Sequence, residues 1–311
     1  MPGAYAHITL VNEAKRTDFL ERGAVPVEAI TALFDYFKYC ELGAVSPDYP
    51  YLAFTDSGAK EWADAMHYVR TGEMIHAGIR RLSAMKGEAK RKGLAWLLGY
   101  TAHVTTDVTI HPVVQMKVGP YKGHEKEHRI CEMHQDSYIY QRLKLGGIQR
   151  AEHLNSGIAK CSHAADPDKL DPPIVELWKG MLRDVHPDAF RSNSPKPDHW
   201  HAGFKFGVGK VAEEGGRLWP LARHVATGQG LVYPLETEID RQFIDRLATP
   251  HGVMGYDEVF NLAIENVLVL WKVVSMAAIQ GTRDSVALIG NWDLDTGRDS
   301  AERFAFWEAV A

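Results

Sequence analysis

One stretch restricts this chain more than any other. From Lys92 to Thr109 the residues are strongly apolar and run for the length of a helix, ending at His111-Pro112. Set into it are His103, Asp107 and His111, a His-x3-Asp-x3-His pattern. Positions i and i+4 lie on one helical face, so His103 and Asp107 project together and His111 sits two turns along. A histidine and an aspartate in so apolar a helix need a partner, because an unpaired buried carboxylate is costly. The fold has to provide one at that face.

A second pair follows, His128 and Glu132, again i and i+4 on a helix, with the register continuing to Asp136. Taken singly, such a pair is more often a surface pair or a core histidine with a partner. Two pairs on facing helices are the arrangement by which bundle proteins build multi-metal sites from inward-pointing side chains. The chain carries 15 histidines against 35 lysines and arginines, a heavy load of the residue most used for transition metals.

The rest of the sequence reads as helix. Ala4 to Glu21 and Val27 to Leu42 carry apolar stripes, the second opened by Pro26 and closed by Gly43. The two prolines of Ala44 to Tyr51 exclude a regular helix there. Asp56 to Tyr68, Met74 to Lys86, Glu125 to Leu143 (stopped by Gly146-Gly147), Lys169 to Leu182 and Tyr256 to Ala278 read as further helices. Ser192 to His201 reads as loop. With no alternating strand run and no repeat, the expectation is an all-α fold, a single multi-helix bundle over 1–311 with a metal-binding cleft. Its ligands lie within 1–136, and 160–311 packs around them. Of the 311 residues 45% are hydrophobic and 24% charged, as in a globular protein. The net charge of −5 gives no general attraction to nucleic acid. The three cysteines are too few and scattered for a disulfide framework or a thiolate zinc site. No run is long enough to be an unbroken transmembrane segment. Met1 to Lys15 lacks signal-peptide features, which points to the cytoplasm or to another export route.

Further elements complete a set: His7 in the first helix, Asp48 in Ser-Pro-Asp-Tyr-Pro-Tyr, and His67. With these, the chain resembles the zinc-dependent phospholipase C family, related to the P1-type nucleases. That family is all-helical, holds three zinc ions, and orders its ligands as His, Asp, His, His-x3-Asp, His and His-x3-Glu. Here the order is filled by His7, Asp48, His67, His103, Asp107, His111, His128 and Glu132. The resemblance implies one zinc on Asp48, His67, His103 and Asp107. It implies a second on His111, His128 and Glu132, and a third on His7, with Asp107 bridging it to the first. The ligands are nitrogen and oxygen only, which suits hydrolytic zinc.

Two departures stand out. Secreted phospholipases of the family complete the third site with the amine and carbonyl of a mature N-terminal tryptophan, and no tryptophan precedes His7. The third site is then left to water, to the chain terminus, or weak. The spacing from Asp107 to His111 is also shorter than in those enzymes. It is closer to the amino-terminal domain of glycosylphosphatidylinositol-specific phospholipase D.

The function implied is zinc-dependent hydrolysis of a phosphodiester, most simply a phospholipid, at a site of two or three ions. Asp48 is both a ligand and the catalytic candidate to orient or deprotonate the attacking water. Tyr49 and Tyr51, beside it, are candidates to bind substrate. Glu132, rather than an aspartate, favours the phospholipase over the nuclease branch. A P1-type nuclease or other phosphoesterase on the same site, with nucleic acid as partner, is the alternative. A non-catalytic domain stapled by structural metals is a third reading. His76, His153, His163, His186, His224 and His251 have no partner pattern, and Asp198 to His201 reads as exposed loop. Asn291 to Gly297 has the look of a calcium loop but lacks the closing glutamate, and is set aside.

Overall fold

A computed structural model of the chain describes residues 3–53, 56–145, 148, 157–214, 230, 232–282 and 285–307, with 207–214 as backbone. Twelve α-helices dominate these residues, with two short antiparallel hairpins. The all-α expectation therefore holds. The first half contains α1 (Ala4–Ala14), α2 (Thr17–Arg22), α3 (Val27–Asp35), α4 (Phe37–Val45), a 3-10 turn (Ser46–Leu52), α5 (Ala59–Tyr68), α6 (Thr71–Ala84), α7 (Gly87–Val118) and α8 (Glu125–Tyr140). The hairpin β1 (Ser162–His163) and β2 (Asp166–Leu170) follows, then α9 (Pro172–Val185), α10 (Pro187–Ser192) and α11 (Pro197–Glu214). The hairpin β3 (Leu247–Thr249) and β4 (Gly252–Met254) leads into α12 (Tyr256–Gln280).

The long helix α7 is the axis, buried continuously from Gly93 to Val114. It carries many polar residues for so buried a helix, and most are satisfied within it. Thr101, Thr105, Thr106 and Thr109 each donate a hydroxyl to the carbonyl four residues earlier, at 2.7–2.8 Å. Helix α4 crosses α7 at unusually short range. A Cβ on Gly99 would lie 2.0 Å from the Cys40 carbonyl oxygen, and one on Gly43 2.0 Å from that of Trp96. Only a missing side chain on both helices permits the approach. On the other side α12 is tied to α7 by the Trp271 indole, which donates to the Leu98 carbonyl at 2.8 Å. Helix α12 is the one described helix long and apolar enough to cross a membrane, and 61% of its apolar window is buried inside the protein.

Several expected boundaries move. The first two helices are each split, at Lys15-Arg16 and at Tyr36, where the backbone leaves the helical region without proline or glycine. Gly43 does not close a helix but lies within α4, where it serves the crossing. Pro112 does not stop α7, which continues to Val118. Of the expected 44–51 loop, Ala44 and Val45 end α4, and the rest is a 3-10 turn built around Pro47 and Pro50. Lys169 and Leu170 belong to β2, and the next helix starts at Pro172, a residue suited to a first helical turn. By the same logic Pro197 starts α11, which buries Trp200 and His201. The expectation of an exposed loop there is corrected. Gly146 and Gly147 lie outside the described residues, as do His153 and His224.

Candidate metal centre

Four elements converge beside the middle of α7. That helix presents His103, Asp107 and His111 on one face, all with 0–1% of their surface exposed. His7 comes from α1, Asp48 from the 3-10 turn and His67 from the last turn of α5. Helix α8 brings His128 and Glu132. Asp136, next in that register, accepts the backbone N–H groups of Ala6 at 2.8 Å and Tyr5 at 3.3 Å. It thereby fixes the first turn of α1, and with it His7.

The distances place Asp107 between its neighbours. Its Oδ1 is 3.2 Å from His7 Nε2, and its Oδ2 is 3.2 Å from His103 Nε2 and 3.9 Å from His67 Nε2. Asp48 Oδ1 is 3.2 Å from His67 Nε2. The His7 and His103 rings stack at 4.1 Å. Two sets, His7–His103–Asp107 and Asp48–His67–His103, each bring their ligand atoms within 4.8 Å of one another. His111, His128 and Glu132 do not form a third such set, although His128 Nδ1 lies 3.6 Å from Glu132 Oε1.

What distinguishes this cluster is how its histidines are held. His67 Nδ1 faces the Ala63 carbonyl at 2.7 Å, and His103 Nδ1 faces that of Ala44 at 2.8 Å. His111 Nδ1 faces the Leu294 carbonyl, and His128 Nε2 faces that of Gly119 at 2.7 Å. A carbonyl oxygen can only accept, so each of these nitrogens carries a proton. The opposite nitrogen of each ring is buried and makes no hydrogen bond, and the same is true of His7 Nδ1 and Nε2, Asp48 Oδ1 and both Asp107 oxygens. Their close approaches lack the direction of a hydrogen bond, so donor atoms point at common space rather than at each other. Orienting a ligating imidazole through its second nitrogen is the usual support for a metal.

The electrostatics agree. Burial opposes charge on Asp107, but His103 and His111 outweigh it and hold the carboxyl well below the ordinary range. Asp48 is likewise held low against its burial, chiefly by His103 and His67. Burial works against a charged His103 too, yet Asp107 and Asp48 raise it to about 9. Burial keeps His7 and His111 neutral. The shifted groups therefore carry two negative charges against one positive, and a cation is the natural complement. The donor set is imidazole and carboxylate. The free cysteines, Cys40, Cys131 and Cys161, are buried elsewhere in the core. These features fit zinc.

Tyr51 borders the site, with its ring 5.8 Å from that of His67 and its hydroxyl donating to Asp64 at 2.9 Å. Tyr49 is fully buried, stacked on Phe204 at 5.0 Å with its hydroxyl 3.3 Å from His201 Nδ1. That packing leaves it no face for a substrate. The four anchoring carbonyls were missed by sequence reasoning, since a backbone oxygen has no residue signature.

A family model described as zinc dependent phospholipase C matches residues 6–202. No curated protein matches the chain, and no solved structure does. The match spans every residue of the cluster and more than half of the sequence, and the chain belongs to the zinc-dependent phospholipase C family.

Proposed function

We propose that the chain is a zinc-dependent phosphodiester hydrolase of the phospholipase C type, with a phospholipid as substrate. The observation that carries this is the set of buried, inward-pointing donor atoms without hydrogen bonds on His7, Asp48, His67, His103, Asp107, His111 and His128. Asp48, His67, His103 and Asp107 would hold one ion, and His111, His128 and Glu132 a second. His7 and the Oδ1 of Asp107 would hold the third. When bound, zinc lowers the pKa of a coordinated water towards neutrality and stabilises charge on phosphoryl oxygens.

The chain's own contribution is positioning. Each anchored imidazole already turns the nitrogen away from its carbonyl towards the site, so no ring has to rotate to ligate. Asp48 is ionised and only partly buried, with 18% of its side chain exposed. Oδ1 is buried towards His67, so Oδ2 is the oxygen that takes a hydrogen bond from an attacking water and orients it. Among the eight candidate ligands Asp48 has the most exposed side chain, at 18% against 10% for Glu132, which makes it the acid-base group nearest solvent.

The test combines metal and substrate. Purified protein should contain more than one equivalent of zinc, and His103→Ala or Asp107→Ala should abolish hydrolysis. Phosphatidylcholine or phosphatidylinositol should be cleaved in preference to single-stranded DNA. One equivalent of zinc or less would defeat the multinuclear reading. Preferential cleavage of DNA would move the chain to the nuclease alternative.

A further inference from the structure

The segment Asn291–Gly297 lies outside the 6–202 family match, yet it is bonded to α5 and α7, two of the elements that frame the cluster, and to α6 between them. The Leu294 carbonyl accepts the His111 Nδ1 proton. The Leu294 N–H donates to the His67 carbonyl at 3.0 Å. One residue thus touches two candidate ligands on two helices. Around it, Gln115 of α7 donates to the Asp295 carbonyl at 2.7 Å, and the Tyr68 hydroxyl donates to Asp295 Oδ2 at 3.0 Å.

The same segment completes the start of α6. Arg70, at the N-cap, has φ 55° and provides no side-chain cap. Asn291 Oδ1 accepts from Gly72 N at 3.1 Å and Glu73 N at 3.2 Å in its place. Thr71 and Trp292 exchange two bonds at 2.8 Å, hydroxyl to carbonyl and N–H to hydroxyl. The turn is held internally by Asp293 Oδ1, which accepts from Thr296 N at 2.9 Å and Thr296 Oγ1 at 3.1 Å.

Its seat on α7 is made by Pro112. A proline has no N–H to give the carbonyl four residues earlier, here that of Val108. Gly297 is pressed against that oxygen, since a Cβ there would lie 2.5 Å from it, and its φ is 67°. Trp292 and Leu294 are 7% and 0% exposed, so the segment is packed down rather than draped over the surface.

We propose that Asn291–Gly297 is a positioning strap for the metal centre. It fixes His111 as the Nδ1–H tautomer, with Nε2 free to ligate, and sets the end of α5 that carries His67. The proposal rests on the zinc reading above for its consequence, but its geometric part is read without metal.

The test uses the full chain labelled with 15N-histidine, with Thr71→Val, Thr71→Ser and Asn291→Ala variants and His111 assigned through His111→Gln. In chelator-treated parent, long-range 1H–15N spectra should show His111 protonated at Nδ1. Thr71→Val and Asn291→Ala should populate the Nε2–H form while circular dichroism stays that of the parent. Thr71→Ser, which keeps both bonds to Trp292, should behave as the parent. Zinc titration against a competing chelator should then give about 10–100-fold weaker binding for the Val and Ala variants, and parent-like binding for Ser. Asn291 is exposed, so Asn291→Ala carries the test where Thr71→Val fails to fold. An unchanged His111 tautomer with unchanged zinc affinity, alongside lowered thermal stability, would overturn the strap. A parent that takes up no zinc defeats the metal reading alone, and the tautomer measurement still decides the strap.

Discussion

At the residue scale, Asp107 and Tyr49 make opposite predictions although both are buried in the same half of the protein. Asp107 has both oxygens directed at histidines without a hydrogen bond. Asp107→Asn should weaken zinc binding on the order of 100-fold or more, measured by chelator competition. Tyr49→Phe loses one hydroxyl contact to His201 and should cost about 1 kcal/mol, with zinc content and turnover unchanged. A large loss of turnover in Tyr49→Phe would restore it as a substrate-binding residue. His201 supplies a pH prediction. Ser162 Oγ donates to the Ala159 carbonyl at 3.1 Å, so it accepts from His201 Nε2, and Tyr49 donates to Nδ1. Burial, with Lys205 nearby, lowers this neutral ring to about 4. The unfolded chain then binds a proton that the folded chain refuses between the ordinary value of ~6.5 and about 4. Its contribution is whole above the upper value and drains away as pH falls through the window. Urea midpoints at pH 7 and pH 5 should therefore drop less in His201→Gln than in the parent.

At the scale of elements, the crossing of α4 and α7 is the most demanding contact. Gly99→Ala would put a methyl 2.0 Å from a backbone oxygen that no rotamer change can move. Such overpacking should cost about 3 kcal/mol. Gly255→Ala, where the nearest atom is a flexible Glu258 oxygen at 3.6 Å, should cost far less. Equal urea midpoints for the two would show that the crossing relaxes. Because Ala44 on α4 holds His103, Gly99→Ala should also lower zinc affinity. Much at this scale was legible in the sequence. The apolar stripe and the i, i+4, i+8 spacing identified α7 and its site face, and the period identified α12. The splits at Arg16 and Tyr36 were not legible, because neither position bears a breaker residue. Pro112 misled in the other direction, since surrounding structure can tolerate the carbonyl that it leaves free. Pro197 reads as loop in the sequence although proline also opens helices. The strap was invisible because its decisive atoms, the Leu294 carbonyl and N–H, belong to every residue type.

For the molecule as a whole, the candidate metal cluster is a question of stability as well as of the proposed catalysis. It leaves charged and polar atoms buried without hydrogen bonds, and an occupant that binds only the folded chain adds its own free energy to folding. Removing zinc with a chelator should therefore lower the melting temperature, and zinc at 1,000 times its Kd should restore about 4 kcal/mol per site. Identical melting with and without chelator would mean that the cluster is satisfied by the protein alone. The strap adds a consequence in time. A ribosome releases the chain from its first residue onward, so all eight candidate ligands have emerged by Glu132, while the carbonyl that orients His111 comes at Leu294. Nascent chains can display the candidate ligands long before they can display the finished site. On the strap reading, the site is finished only once Leu294 has been made, and a chain that stops before it would carry all eight candidate ligands without the carbonyl that orients His111.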